Sequence, residues 1–322
     1  MMRKTLTKVV SLILALMLFV LMAAASGSSD DKETKAISAE PTEAAEAAKE
    51  EGDSEEAVTE TETETETETE AEKAEAVTIE EQVLVEQDGV RITAKEYTED
   101  AFFGEGIKLL IENDTEKNIT VGCNALIVNN FMITDLFAAS VASGKKSNET
   151  MYMSSSGLEA AGIEEVGQVE IYFHVYDSDS FDDLFNTDVV TIKTSAFERM
   201  DTTPDDEGKE LFNEEGIRIV GKYVDENSFW GAGILLYIEN TSERNVSISC
   251  DNFSVNGFML TPIFYTDIYA GKQAMDDITL MSSELEENGI ESITDIELSF
   301  HISDLNSYET IRDTGAISFS VE

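Results

Sequence analysis

The sequence has few of the residues that most often build metal-binding, catalytic and nucleic-acid-binding sites. Its 322 residues include two Cys, two His, three Pro and one Trp, and only 21 Lys and Arg against 67 Asp and Glu. Two cysteines are too few for a disulfide-dense scaffold or a four-ligand zinc site. Two histidines leave little room for His-based catalysis. The net charge of −46 excludes nucleic acid as a partner, because binding the phosphate backbone needs clustered Lys and Arg.

The N-terminal segment, residues 1–29, has the pattern of a secretory signal peptide. Arg3, Lys4 and Lys8 precede an apolar run from Val9 to Ala25, and the three alanines at 23–25 fit a cleavage site. The run is about 17 residues long, the lower limit for a membrane span, so an uncleaved anchor is the alternative. No Cys ends the run, so lipid anchoring has no support. The protein is therefore expected to be secreted or held at the cell surface.

Residues 30–78 are acidic and of low complexity. They hold 19 acidic and 4 basic residues and include a Thr-Glu repeat from Thr59 to Glu70. Large apolar side chains are almost absent here, so no core can offset the entropy lost on ordering the chain. The segment is predicted to be a disordered spacer that like charges extend. An interaction tail or a weak sink for divalent cations is the alternative.

The sequence contains an internal repeat in which residues 89–135 recur as residues 216–262. Of these 47 positions, 21 are identical, and both cysteines and both histidines fall on equivalent positions. The repeat predicts two copies of one domain, residues 79–195 and 208–322. Residues 196–207, a polar stretch with Pro204, are predicted to link them.

Each copy has the alternation of a β-protein. In the second copy Ile296, Leu298, Phe300 and Ile302 occupy one face of a predicted strand, with polar residues between them. Seven or eight such strands are predicted per copy, including one over residues 131–142. The polar turn that begins at Asn113, and again at Asn240, is expected to form a hairpin or a sharp corner.

One short helix is predicted in each copy. An S-x-x-E capping box occurs at Ser156–Glu159 and again at Ser283–Glu286, and Gly162 and Gly289 fit the positive-φ position after a helix. Many short strands with one helical turn predict an all-β fold of two tandem antiparallel β-sandwich domains. A barrel or jelly roll is the alternative.

A family resemblance rests on two segments of the first copy. These are IKLLIENDTEKNITV at 107–121 and VEIYFHVYD at 169–177, and both have counterparts in the second copy. The pattern resembles the immunoglobulin-like domains of unknown function in secreted proteins and lipoproteins of Gram-positive gut bacteria. It covers about three quarters of the chain. The resemblance implies a fold and a surface location but no activity, and the missing lipidation Cys departs from the lipoprotein members.

The rare Cys and His residues are interpreted as structural. Cys123 and Cys250 lie on the inward phase of their strands and are expected to act as small buried apolar residues. His174 and His301 lie on the outward phase, and no Ser or Cys nucleophile with a helper carboxylate accompanies either. No catalytic residue and no cofactor is therefore predicted.

An acidic loop is the one tempting metal site. Asp177, Asp179, Asp182 and Asp183 could offer oxygen ligands to Ca²⁺, but the loop lacks the EF-hand pattern. The second copy replaces several of these carboxylates. The loop is therefore expected to be an acidic surface turn, with Ca²⁺ binding as a weak alternative in the first copy.

Two aromatic pairs are the candidate ligand-contact residues. Phe102 and Phe103 in the first copy, and Phe229 and Trp230 in the second, precede a glycine in a predicted loop. Aromatic loop residues stack on sugars or contact protein partners, although they also close the ends of sandwich cores.

The sequence favours an exported, non-enzymatic binding protein whose partner is a protein or a carbohydrate. Contact with a membrane is expected only through the N-terminal segment, if that is retained. A structural envelope protein without a specific ligand is the alternative. An aromatic patch exposed in both copies would favour binding, whereas copies that differ wherever the core does not constrain them would favour the structural role.

Overall fold

The computed structural model describes residues 76–321 and the backbone of residues 34–36. The signal peptide predicted at 1–29 and most of the predicted spacer lie outside these residues. Within the predicted spacer, the structure describes β1 (Thr34–Ala36), a short strand. Among the described residues, strands dominate, which confirms the all-β prediction, and no helix is long and apolar enough to cross a membrane.

Two sets of ten strands follow β1. The first set contains β2 (Gln82–Gln87), β3 (Val90–Asp100), β4 (Gly104–Asn113), β5 (Ile119–Val128), β6 (Phe131–Ile133), β7 (Ala138–Val141), β8 (Lys145–Tyr152), helix α1 (Ser155–Ala160), β9 (Gln168–Asp177), β10 (Asp183–Asn186) and β11 (Val190–Lys193). The second set contains β12 (Lys209–Glu214), β13 (Ile217–Ser228), β14 (Gly231–Asn240), β15 (Val246–Val255), β16 (Phe258–Met259), β17 (Tyr265–Ile268), β18 (Gln273–Met281), helix α2 (Ser282–Glu287), β19 (Asp295–Asp304), β20 (Thr310–Asp313) and β21 (Ile317–Ser320). Every element of the second set starts at the repeat equivalent of the residue that starts its counterpart, except β18, whose start is shifted by a single position relative to β8.

The two sets share one strand order. In the first, β2, β3, β4 and β8 form one sheet, while β5 and β9 form the centre of another. The edges of that second sheet are each built from two short strands: β6 and β7 pair with β5, and β10 and β11 pair with β9. These divided edges explain why ten strands occur where seven or eight were predicted. In particular, the single strand predicted over residues 131–142 is split into β6 and β7.

The core of each set lies between its two sheets. In the first set Ile92 and Leu109 on one sheet share a buried cluster with Val121 and Phe173 on the other. The second set has a separate cluster built from the equivalent strands. The alternation predicted from the sequence is confirmed, since every second side chain of β9 is buried. Burying one such large side chain stabilises the fold by about 1.5–3 kcal/mol.

A buried asparagine forms the corner between β4 and β5, which belong to different sheets. Asn113 Nδ2 donates hydrogen bonds to the carbonyls of Lys117 at 2.8 Å and Val141 at 2.9 Å. Its Oδ1 accepts the Thr115 amide at 3.0 Å. Asn240 makes the equivalent bonds in the second set. Of the two alternatives for this polar turn, the structure therefore has a corner rather than a hairpin.

The Asn129-Asn130 and Asn256-Gly257 turns are tight two-residue hairpins. All four residues have positive φ, between 46° and 82°. That backbone matches the twist of the flanking strands and favours Asn and Gly at these positions.

The helices end as predicted but begin differently. Gly162 and Gly289 have φ of 68° and 65° in the position after the helix. The predicted capping boxes are wrong. In α1 the N-cap is Ser154, whose hydroxyl accepts the Gly157 amide, and in α2 the N-cap is Met281, which has no capping side chain. Each helix begins one residue before the serine of its S-x-x-E motif, so that serine lies inside the first turn.

The two sets are joined by strand pairing and by side chains, and they belong to one compact unit. The start of β18 pairs in parallel with β6, which makes one continuous sheet across both sets. Next to it, the Tyr172 and Tyr269 rings lie 4.7 Å apart, and Lys272 Nζ lies 2.5 Å from Glu170 Oε2. We call these four side chains and the β6–β18 pair the joint.

Candidate binding surface

The predicted aromatic residues lie at two equivalent hairpin tips. The first tip, residues 101–103, connects β3 to β4, and the second, residues 229–230, connects β13 to β14. The exposed fractions are 70% for Phe102, 54% for Phe103, 74% for Phe229 and 46% for Trp230. These values exclude the alternative that the aromatic side chains close the end of a core.

The two tips hold their rings in the same arrangement. The Phe102 and Phe103 centroids lie 4.9 Å apart with planes at 85°, and the Phe229 and Trp230 centroids lie 4.9 Å apart with planes at 87°. At the first tip Asp100 Oδ1 accepts the amides of Phe102 and Phe103 at 2.8 and 2.9 Å. These amides hold the pKa of Asp100 below its usual range. A carboxylate therefore fixes the backbone that presents the first pair.

The carboxylates of the acidic loop have separate partners. Asp177 Oδ1 accepts the amides of Asp179 and Ser180, and its Oδ2 lies 3.1 Å from Lys117 Nζ. The same residue in the second set, Asp304, also accepts two amides of its loop. Because this role recurs in the second set, where Asn306 and Thr310 replace Asp179 and Asp183, the structure gives the first Asp of the loop a part in closing the turn.

The Asp179 and Asp183 carboxylates of this loop contact different neighbours. Asp179 Oδ2 accepts a hydrogen bond from Asn118, and the Asp182 amide donates to Ser180 Oγ. Asp183 Oδ1 lies 2.8 Å from His174 Nε2. Within residues 76–321, no three His, Cys, Asp or Glu side chains are grouped so that they could hold a metal ion.

The thiols are half-buried and packed against the cores of their sets. Burial, helped by the nearby Asp251 carboxylate, raises the pKa of Cys250 to about 12. Burial and Asp135 raise the pKa of Cys123 as well. Both thiols therefore stay protonated at neutral pH, in keeping with a role as small apolar residues.

We expect neither thiol to react in the folded protein. At pH 8 a thiol with a pKa of about 12 is only about 0.01% thiolate, and the thiolate is the reactive form. Ellman's reagent should label less than about 0.1 thiol per chain within minutes in buffer, and both thiols in concentrated urea. Rapid labelling of either cysteine without denaturant would contradict the assignment.

Sequence reasoning missed a second pair of equivalent exposed aromatic residues. Phe181 and Tyr308 lie at the tips that connect β9 to β10 and β19 to β20, with exposed fractions of 73% and 78%. Both have positive φ, 59° and 60°, which is uncommon for bulky side chains. Their recurrence at equivalent positions of the repeat was the available signal, but in the sequence it lies inside a loop dominated by carboxylates.

Comparisons with known proteins do not identify the chain. No family model and no curated protein matches it. Among solved structures it is similar to the complex of the SafA pilin with the SafB chaperone from Salmonella enterica, with 12% identity and a TM-score of 0.20 over 67% of this chain and 88% of that one. A protein of unknown function from Porphyromonas gingivalis W83 gives 10% identity and a TM-score of 0.20 over 67% and 89%. Similarity at this level carries no argument about function.

Proposed function

We propose that the protein is an exported, non-enzymatic binding protein that presents two tandem immunoglobulin-like β-sandwich domains on an acidic spacer. The proposed domains are residues 79–195 and 208–322. Two sheets around one core in each set, in the same strand order, support this organisation. The signal-like N-terminal sequence supports export to the cell surface or the medium.

The observation that carries the proposal is the pair of exposed aromatic rings at the same hairpin in both sets. Large exposed apolar side chains gain about 1.5–3 kcal/mol each when they are buried, so a pair held at a tip favours contact with a partner. Residues 79–322 hold 48 acidic and 14 basic residues, a net charge of −34. That charge favours neutral or cationic partners and disfavours nucleic acid.

Serine substitutions at the tips test this function. The full chain is applied to a glycan array and to a synthetic peptide array, and any ligand found is titrated against F102S/F103S and F229S/W230S. If the aromatic pair contributes about 1.4 kcal/mol or more to the binding free energy, its removal weakens binding at least tenfold. Leu136→Ser is the matched control, since Leu136 is 71% exposed outside both tips. A ligand that binds all three variants like the natural chain contradicts the proposal.

A structural envelope protein without a specific ligand is the second candidate. The copies do differ outside their cores: Tyr172 corresponds to Ser299, and Tyr269 to Ala142. These differences lie at the joint, however, whereas the exposed aromatic pairs are kept in both copies. An absence of binding on both arrays would favour the structural role.

A further inference from the structure

A small groove lies beside the second hairpin tip. It runs between the start of β14, helix α2 and the chain that follows this helix, and its volume is about 180 Å³. The floor is apolar, because Ala232 and Ile293 are buried and Leu285 and Ile290 are partly covered. Small-molecule sites usually measure about 300–1,000 Å³, so this groove fits a single side chain rather than an oligosaccharide.

The rim of the groove is acidic and fixed to the tip. Glu226, Glu286 and Glu291 line it. Glu226 Oε1 accepts the amide of Ile293 at 2.6 Å, which holds this carboxylate at the wall. The amide of Ser282, the first residue of α2, donates to the carbonyl of Trp230 at 2.8 Å. The exposed Phe229–Trp230 pair is therefore fastened next to an apolar floor with a negative rim.

The first set has a different residue on the floor. Its counterpart of Ala232 is Glu105, and burial raises the pKa of that carboxyl group. The counterpart of the buried Val224 is Tyr97, which lies beside Glu105. A partly buried carboxyl group thus occupies the position that Ala232 leaves open. The groove depends on residues that distinguish the second copy from the first.

We propose that this groove binds a lysine side chain of a partner protein. The aliphatic stem lies on the apolar floor, and the ammonium group meets the carboxylate rim next to the hairpin tip. The inference rests on the proposed binding function and names the partner of the second tip as a protein segment with an exposed lysine. Charge complementarity favours this occupant over neutral or acidic side chains.

The single Trp of the chain reports on this site. The probe is the peptide acetyl-Gly-Gly-Lys-Gly-Gly-amide, titrated into the full chain while Trp230 emission is recorded. The expected result is a saturable emission change that weakens with added salt, because salt screens the rim carboxylates. The same peptide with an ε-acetylated lysine should bind at least tenfold more weakly. Equal binding of the two peptides, or no emission change with the lysine peptide, would overturn the proposal.

Matched variants locate the contact. Ala232→Glu puts the first-set residue on the floor, and E286Q/E291Q removes rim charge without changing shape; each should weaken lysine-peptide binding at least tenfold. Glu105→Ala in the first set is the control and should leave binding unchanged. Circular dichroism checks that Ala232→Glu folds, and the rim variant provides an independent test if it does not. Unchanged affinity in the rim variant would overturn the assignment.

The outcome separates this inference from the proposed function. If glycans or lysine-free peptides bind in a way that F229S/W230S abolishes, while the lysine peptide has no effect, the binding function stands and the lysine assignment is wrong. Binding of the lysine peptide to F229S/W230S is measured by isothermal titration calorimetry, because this variant lacks the only Trp of the chain. If the peptide binds this variant as tightly as the natural chain, the groove acts without the aromatic tip, and the proposal that the tip carries binding fails.

Discussion

Replacing Asn113 by alanine is expected to destabilise the first strand set by about 3 kcal/mol. The side chain is fully buried and bonded to the Lys117 and Val141 carbonyls and to the Thr115 amide and hydroxyl. Alanine leaves these groups without their partner, and each buried unsatisfied group costs about 1–3 kcal/mol. The bond to Val141 also ties the corner to β7, 28 residues further along the chain.

Urea unfolding measured by circular dichroism checks this expectation. Asn118→Ala is the matched control, because Asn118 is an exposed residue of the same turn with two 3.2 Å side-chain bonds. The control should lose less than about 1 kcal/mol, as is usual for surface substitutions. Asn113→Asp keeps the acceptor oxygen but loses the two donated bonds and should be strongly destabilised as well. If Asn113→Ala stays within about 1 kcal/mol of the natural chain, the corner is not held by this residue.

The sequence repeat and the strand alternation predicted the local structure well. The match of residues 89–135 to 216–262 determines which elements correspond, and the alternation on β9 gives its buried face. Alternation does not show which strands pair at the edge of a sheet. The corner at Asn113 and the division of residues 131–142 into β6 and β7 depend on contacts between residues that are distant in sequence, which alternation cannot predict. The capping motif failed because consecutive serines at 154–156 offer several local starts for α1, and the start at Ser154 is the one whose hydroxyl meets the Gly157 amide.

The candidate site was predicted in part. The recurrence of Phe102-Phe103 as Phe229-Trp230 identified the tips, but the same sequence is also compatible with aromatic side chains that close the end of a sandwich core. Their exposure depends on how far the hairpin extends beyond the sheets, which is a three-dimensional property. The groove beside Trp230 was not predicted, because it depends on one alanine of β14 packed among residues of α2 and the chain that follows it, which are distant in sequence.

The ion pair of the joint yields the second large prediction. Glu170 and Lys272 are 13% and 16% exposed at their side chains and form an ion pair across the joint. Lys272→Glu places two carboxylates against each other in a half-buried site. Breaking a buried pair costs about 3–5 kcal/mol, because an uncompensated charge remains. We therefore expect the variant to lose about 3 kcal/mol of joint stability and the pairing of β6 with β18.

Hydrogen exchange of the Gln273 amide measures that pairing directly, because this amide donates to the carbonyl of Asn130, just before β6, at 3.1 Å. Exchange of this amide should accelerate about a hundredfold in Lys272→Glu, which is what about 3 kcal/mol corresponds to, while the amides in the centre of β9 keep their protection. Lys145→Glu is the matched control, since Lys145 is the exposed counterpart of Lys272 in the first set and lies outside the joint. The charge-reversed pair E170K/K272E should restore slow exchange, because it rebuilds the ion pair with its signs exchanged. Restoration distinguishes a specific pair from a general effect of adding negative charge to a chain of net charge −46. If Lys145→Glu accelerated exchange as much as Lys272→Glu, general repulsion and not the ion pair would control the joint.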